Sequence, residues 1–128
     1  MDYSGVIIEE SLTDTGILKQ VRIVSTKVES TTEKHKTPWL KQWTLHTVEV
    51  PESRAKSLAG VLSRAIDPKH GGAWYADFKN DNTHYIIFLN KVFKVDRKKG
   101  NGYAQVKEYG LKLGIPDYQL DFSPEATA

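Results

Sequence analysis

The stretch of chain that decides the fold is residues 43–66, WTLHTVEVPESRAKSLAGVLSRAI, where an alternating segment runs directly into an amphipathic one. Residues 43–50 alternate with the period of a strand. Pro51 stands where a helix takes its first residue, because the missing N–H costs nothing there. The apolar side chains after it recur at helical spacing on one broad stripe: Ala55, Leu58, Ala59, Val61, Leu62, Ala65 and Ile66. The stretch therefore predicts a strand followed by a helix over 52–66.

The flanking segments are mostly short, β-branched or alternating, which predicts strands. A second helix is predicted at 102–113, with Asn101 as its cap. Residues 11–20 fit either a helical turn or a loop, and 30–42 form a long polar loop. The predicted additional strands are 5–10, 21–29, 74–80, 84–90, 92–97 and 117–122.

From residue 43 onward this order resembles the ferredoxin-like β-α-β-β-α-β core, with an N-terminal β-addition. The predicted class is α+β, an antiparallel sheet of about five to seven strands with two helices on one face. The resemblance concerns element order only. It implies no function, because this superfold hosts many activities.

Length and composition predict one domain and exclude several chemical classes. The chain has 128 residues, 39% of them hydrophobic and 27% charged, so we expect a single domain over 1–122 and a disordered tail at 123–128. The absence of cysteine excludes disulfide scaffolds, zinc–thiolate sites, iron–sulfur clusters and cysteine nucleophiles. The longest apolar run, Tyr85 to Leu89, is too short to span a membrane. With no signal peptide visible, we expect a cytoplasmic protein.

Charge is nearly balanced over the whole chain but uneven along it. The 18 basic and 16 acidic residues give a net charge of +2, too little for a strong overall field. The basic excess is concentrated between residues 89 and 112, where only Asp96 and Glu108 oppose it. Its members are Lys91, Lys94, Arg97, Lys98, Lys99, Lys107 and Lys112.

The register of the predicted hairpin decides which side chains share a surface. A three-residue loop at 81–83 sets Phe78 opposite Ile86 and keeps Asp77 out of the core, where an unpaired carboxylate is costly. The face opposite the core then carries Tyr75, Asp77, Lys79, Tyr85 and Lys94.

Such a face could be a solvated surface with ion pairs, or it could bind single-stranded nucleic acid or another ligand. Two tyrosines could stack unpaired bases while nearby cations contact phosphates. Against this, the sequence pattern of the RNA-recognition motif is absent, and Asp77 and Asp96 would repel phosphates. The candidate ligand or nucleic-acid residues are Tyr75, Asp77, Lys79, Tyr85, Lys94, Arg97, Lys98 and Lys99.

Two other features point to a protein partner. Trp39 lies in a polar loop, where a tryptophan either tucks back onto the core or anchors a partner. Gly60 lies on the polar face of the first helix, where glycine costs about 1 kcal/mol relative to alanine. Together with Ser57 and Arg64 it forms a flat strip that a second copy of the chain could approach.

Nothing in the sequence specifies an enzyme. The four histidines, His35, His46, His70 and His84, show no metal-ligand spacing, and no phosphate-binding glycine loop or nucleophile elbow occurs. Acid–base catalysis by Asp77 with Asp81, Asp96 or a histidine remains an alternative. We therefore expect no metal and no cofactor, and a non-catalytic binding module whose partner is a protein or a small molecule, with a homodimer possible.

Overall fold

The computed structural model describes residues 1–98, 102–120 and 122. Over these residues the chain forms six strands and two α-helices: β1 Tyr3–Ile8, β2 Arg22–Ser30, β3 Gln42–Val50, α1 Glu52–Ala65, β4 Ala76–Lys79, β5 Thr83–Phe88, β6 Lys91–Asp96 and α2 Tyr103–Lys112. Short 3-10 turns occur at Glu9–Ser11, Thr15–Gln20, Glu33–His35, Lys69–Gly72 and Asp117–Leu120. The proposed cap Asn101 and the predicted tail 123–128 lie outside the described residues.

The six strands form one antiparallel sheet in the order β2-β3-β1-β4-β5-β6. This confirms the α+β class and the antiparallel sheet. The ferredoxin-like order is not confirmed, because the segment predicted as the last strand turns instead at Asp117–Leu120. Pro116 O accepts a hydrogen bond from Gln119 N at 3.0 Å. Leu120 is buried against Gly110 of α2, so the segment packs on a helix and not on a strand.

The two helices lie on opposite faces of the sheet, so the prediction that both share one face is wrong. Successive strand residues point to opposite faces, and β5 divides accordingly. Tyr85 and Ile87 belong to the core that contains α1, whereas Ile86 and Phe88 pack with Val106 of α2. All four β5 residues are buried, as expected of a strand covered on both sides. We call these sides the α1 face and the α2 face.

The β4–β5 hairpin is one residue away from the predicted register. Phe78 lies opposite Tyr85 and Asp77 opposite Ile86. The turn is tight, because Asn80 N donates to Thr83 O at 2.9 Å, so the predicted three-residue loop is wrong. The shift moves Tyr85 to the α1 face and leaves Asp77 on the α2 face with Ile86.

Asp77 is tolerated beside the core because it is not unpaired there. His84, on the same face of β5, lies with Nε2 2.6 Å from Asp77 Oδ2. The prediction excluded this register on the cost of an isolated buried carboxylate. The histidine supplies the missing partner.

Helix α1 confirms the prediction made from its apolar stripe. Ala55, Leu58 and Leu62 are buried within the core on the α1 face. Ser63 Oγ donates to Phe88 O at 2.7 Å and fastens the end of the helix to β5. Helix α1 thus packs on the α1 face. On the other face, the buried strand residues that cluster with Val106 of α2 belong to β5 and β6, as far as the described residues show.

Candidate ligand-binding site

The exposed two-tyrosine face predicted from the sequence does not form. Tyr85 is 5% exposed and packs against Tyr3 and Phe78 on the α1 face. Tyr75 lies on the opposite side, where its hydroxyl donates to Gln119 O at 2.5 Å. The two rings therefore cannot stack on the same ligand.

The predicted basic residues are also divided. Lys94 shares the α1 face with Tyr85, and its Nζ lies 5.9 Å from that ring centroid. Arg97 Nη1 donates to Asn80 O at 2.6 Å and so closes the β4–β5 turn. Lys98 is exposed, with its backbone N–H donating to Asp96 Oδ1. Lys99 lies outside the described residues.

The two predicted partner-binding features line no common cavity among the described residues. Trp39 stacks on His70, with ring centroids 3.6 Å apart and planes 10° apart, and remains 44% exposed. On α1, Ser57 and Arg64 are exposed, and Gly60 has open space except for the Arg64 guanidinium. The structure does not bring Trp39 together with the α1 strip.

A polar chain of three side chains is enclosed between β4, β5 and α2. His84 is fully buried, with Nε2 2.6 Å from Asp77 Oδ2 and Nδ1 2.9 Å from Tyr103 Oη. Burial raises the pKa of Tyr103, although Arg97 acts in the opposite direction. The phenol is therefore a donor at neutral pH. A neutral histidine with its proton on Nε2 accepts from Tyr103 and donates to Asp77, which satisfies all three groups.

Lys79 lies beside this chain on the α2 face. Its Nζ is buried and has no hydrogen-bond partner among the described residues. Burial lowers the pKa of Lys79, as does Arg97, while Asp77 raises it. The Asp77 carboxylate therefore offsets only part of the lowering of the Lys79 pKa.

Replacing Lys79 by methionine should stabilise the protein by about 0.5–1 kcal/mol, because methionine keeps the apolar stem and removes a desolvated charge. The pKa of Lys79 is lower in the folded protein than in the unfolded chain. The charged lysine therefore destabilises the folded state at pH values below the folded-state pKa. This destabilisation disappears as the pH rises to the ordinary lysine pKa. Denaturant titrations should therefore show the largest gain at neutral pH. A variant less stable than the wild type would contradict the absence of a partner.

An aromatic cavity opens on the α2 face where α2 does not cover the sheet. Its volume is about 230 Å³. Val6 and Ile8 of β1 and Leu45 of β3 form its floor, since they point to this face. The remaining lining residues are Trp43, Ala73, Trp74, Tyr75, Asp77 and Gln119.

The polar groups of this wall are largely committed to the protein itself. Trp43 Nε1 donates to Thr37 Oγ1 at 2.9 Å, and the Tyr75 hydroxyl donates to the Gln119 carbonyl. Of the described residues that line the cavity, only Asp77 is charged. Its Oδ2 is held by His84. The cavity therefore presents aromatic and aliphatic surface together with one carboxylate.

A second cavity of about 210 Å³ shares Ala73, Trp74 and Gln119 with the first. The stacked pair Trp39 and His70 lines it. Trp39, predicted as a partner anchor, thus flanks an aromatic region that reaches from the 30–42 loop to Asp77. The sequence signal for this region is the density of tryptophan and tyrosine at 39, 43, 74 and 75, which strand pairing brings together.

A metal site and a membrane-spanning helix have no counterpart in the described part of the chain. Among residues 1–98, 102–120 and 122, no group of three or more histidine or acidic residues is placed to hold a metal ion. Over the same residues, no helix is long and apolar enough to cross a membrane. Comparison with known proteins gives no family model, no curated protein and no solved structure that matches this chain.

Proposed function

We propose that the protein is a binding module for a compact aromatic amine, held in the cavity between β1, β3 and β4. The observation that carries the proposal is an aromatic and aliphatic wall whose described residues include one charged group, the Asp77 carboxylate. Concave, mostly apolar sites with a few placed polar groups are typical of small-molecule binding.

The wall favours a flat apolar ligand of small size. The Trp43 and Trp74 rings lie 5.2 Å apart at 56° and so present differently oriented surfaces. A volume of about 230 Å³ is below the usual range for drug-sized ligands. One ring, or two fused rings, suits this space better than an extended molecule.

The charge favours a cation. With the Trp43 and Tyr75 donors committed to Thr37 and to the Gln119 carbonyl, the ligand must bring its own donor to the carboxylate. An ammonium group satisfies Asp77 and is also attracted to neighbouring aromatic faces. A carboxylate ligand would meet Asp77 with like charge.

Binding is favoured over acid–base catalysis because of how His84 is enclosed. Its side chain has no exposed surface, and both ring nitrogens already have partners. A catalytic base must reach the proton that it removes. His84 is better placed to orient Asp77 than to contact a substrate.

The proposal predicts that tryptamine quenches or shifts the fluorescence of Trp43 and Trp74 in a saturable way. The dissociation constant should fall at roughly 1 µM to 1 mM, the range for ligands of about a dozen heavy atoms. Indole should bind less tightly, and indole-3-acetate should not bind. Isothermal titration gives an independent affinity for each.

Three variants make this test specific. Leu45→Phe fills the cavity and should abolish binding. Thr47→Phe, two residues along the same face of β3 but outside the cavity wall, should leave it intact. Asp77→Asn keeps an acceptor for His84 and should remove the preference for tryptamine over indole. Equal binding of all three ligands, or no saturable change up to about 1 mM tryptamine, would contradict the proposal.

A further inference from the structure

The outer edge of the sheet at β2 is open. β2 is the terminal strand in the sheet order, and every residue from Arg22 to Val28 is exposed. Among the described residues, no strand pairs with the backbone N–H and C=O groups on the side of β2 away from β3. Such an edge is a template for another strand.

Strand β2 exposes large apolar side chains to solvent. Ile23, Val24 and Val28 are 42%, 54% and 56% exposed. Edge strands that stay monomeric are commonly short or carry charged residues and proline. β2 is nine residues long, contains no proline and is β-branched at four positions, and its charged residues include both signs.

The pairing of β2 with β3 shows which side chains share a face. Ile23 lies opposite Val48 and Ser25 opposite Thr47, so Val24 is an extra residue that forms a bulge. The bulge shifts the alternation of side chains between the two faces by one residue. Even-numbered residues before Val24 therefore share a face with odd-numbered residues after it. Those on the α2 face are Arg22, Ser25, Lys27 and Glu29, and those on the α1 face are Ile23, Thr26 and Val28.

We propose that a second copy of this chain pairs with β2, antiparallel, about a two-fold axis at Thr26. Residues opposite each other in such a pair must share a face. With Val24 left unpaired as the bulge, this register sets Ile23 opposite Val28 of the second copy and Arg22 opposite Glu29 of the second copy. Two-fold symmetry repeats both pairs, so the register yields two apolar pairs and two ion pairs.

The charges on the edge are complementary in this register. Arg22 has a loose intrachain partner, since its Nη1 lies 3.9 Å from Glu49 Oε1 at an exposed site. Glu29 has two intrachain neighbours, Lys27 Nζ 3.4 Å from Oε2 and His35 Nε2 3.4 Å from Oε1, and a carboxylate with about four lone-pair sites can accept from a further cation. Lys27 faces Ser25 of the second copy, so no like charges meet. The product is a continuous twelve-strand antiparallel sheet, closed by symmetry and with no further copies required.

A charge-exchange experiment tests the register. In sedimentation equilibrium, Arg22→Glu and Glu29→Arg should each weaken dimerisation roughly tenfold or more, because two symmetric pairs become like-charged. The combined variant Arg22→Glu/Glu29→Arg should recover the wild-type dissociation constant to within a few fold. Thermal unfolding of each variant confirms that it is folded.

Two further measurements separate this edge from other surfaces. Arg64→Glu reverses an exposed charge on α1 and should leave the dimer unchanged. Amide hydrogen exchange should slow with protein concentration at alternate residues of β2, those whose N–H groups point away from β3.

Several outcomes would overturn the proposal. One is a wild-type chain that stays monomeric up to about 1 mM, where even weak complexes are populated. Another is a dimer that Arg64→Glu disrupts and the β2 variants do not. A folded combined variant that fails to recover association would show that Arg22 does not face Glu29.

Discussion

Replacing Gly5 by alanine is expected to lower the free energy of unfolding by about 3–5 kcal/mol, a large fraction of a typical total of about 5–15 kcal/mol. Gly5 lies in β1, which is enclosed between β3 and β4. A Cβ at this position would overlap Asp77 O and lie 2.5 Å from Phe78 Cα. These are backbone atoms of β4, so no side-chain rotation can relieve the clash, and the strands must separate.

Gly60→Ala is the matched control for this experiment. A Cβ at Gly60 meets only the Arg64 guanidinium, at an ordinary 3.5 Å. Alanine there should stabilise the helix by about 0.5–1 kcal/mol. In urea titrations, the midpoint of unfolding should therefore be lower than that of the wild type for Gly5→Ala and higher for Gly60→Ala. If Gly5→Ala costs under about 1 kcal/mol, then β1 and β4 do not approach as closely as described.

Helix α1 was predictable because the residues that determine it lie close together in the sequence. Seven apolar residues at helical spacing, with Pro51 before them and Pro68 after, require no knowledge of the rest of the chain. The observed helix, Glu52–Ala65, ends one residue before the predicted bound. The six observed strands were predictable for the same reason, since alternation and β-branching are properties of short windows.

The β4–β5 register was not predictable from Asp77 alone. The cost of burying a carboxylate depends on its partner, and the partner His84 enters the argument only after the register has been chosen. Once the two lie diagonally on the same face of neighbouring strands, their contact at 2.6 Å offsets the desolvation on which the prediction relied. The error moved Tyr85 to the wrong face and with it the predicted nucleic-acid surface.

The sequence contains a signal for the placement of the two helices on opposite faces, although the prediction did not use it. The uninterrupted apolar run from Tyr85 to Leu89 indicates a strand covered on both faces, whereas one covered face produces alternation. The predicted final strand failed for a different reason. Leu120 and Phe122 are as suited to a core turn as to a strand, and Gly110 leaves room for Leu120 on α2.

The aromatic cavity depends on contacts between distant parts of the chain. Val6, Leu45 and Asp77 become neighbours only because β1 pairs with both β3 and β4. The sequence indicates Trp39 as a candidate binding residue because it lies in a polar loop, and Tyr75 and Asp77 because they lie on a predicted strand. Trp43 and Trp74 also belong to predicted strands. That they line the cavity cannot be inferred without the sheet order.

The buried histidine provides the second large effect, and it tests how Asp77 is held at the cavity. His84→Leu preserves apolar volume but removes both hydrogen bonds of a fully buried ring. We expect a loss of about 2–4 kcal/mol, because the Asp77 carboxylate and the Tyr103 hydroxyl are left without their partner. Tyr103→Phe removes only the outer of the two bonds and should cost about 1 kcal/mol.

A double-mutant cycle distinguishes loss of the pair from loss of packing. If most of the His84→Leu effect comes from the stranded carboxylate, then adding Asp77→Val should recover about 1–2 kcal/mol, since breaking a buried pair is costlier than replacing both members. Guanidinium titrations of the wild type, the two single variants and the double variant measure the coupling. Strictly additive losses would show that His84 and Asp77 do not stabilise each other. In that case His84 would not be what holds the carboxylate beside the aromatic wall.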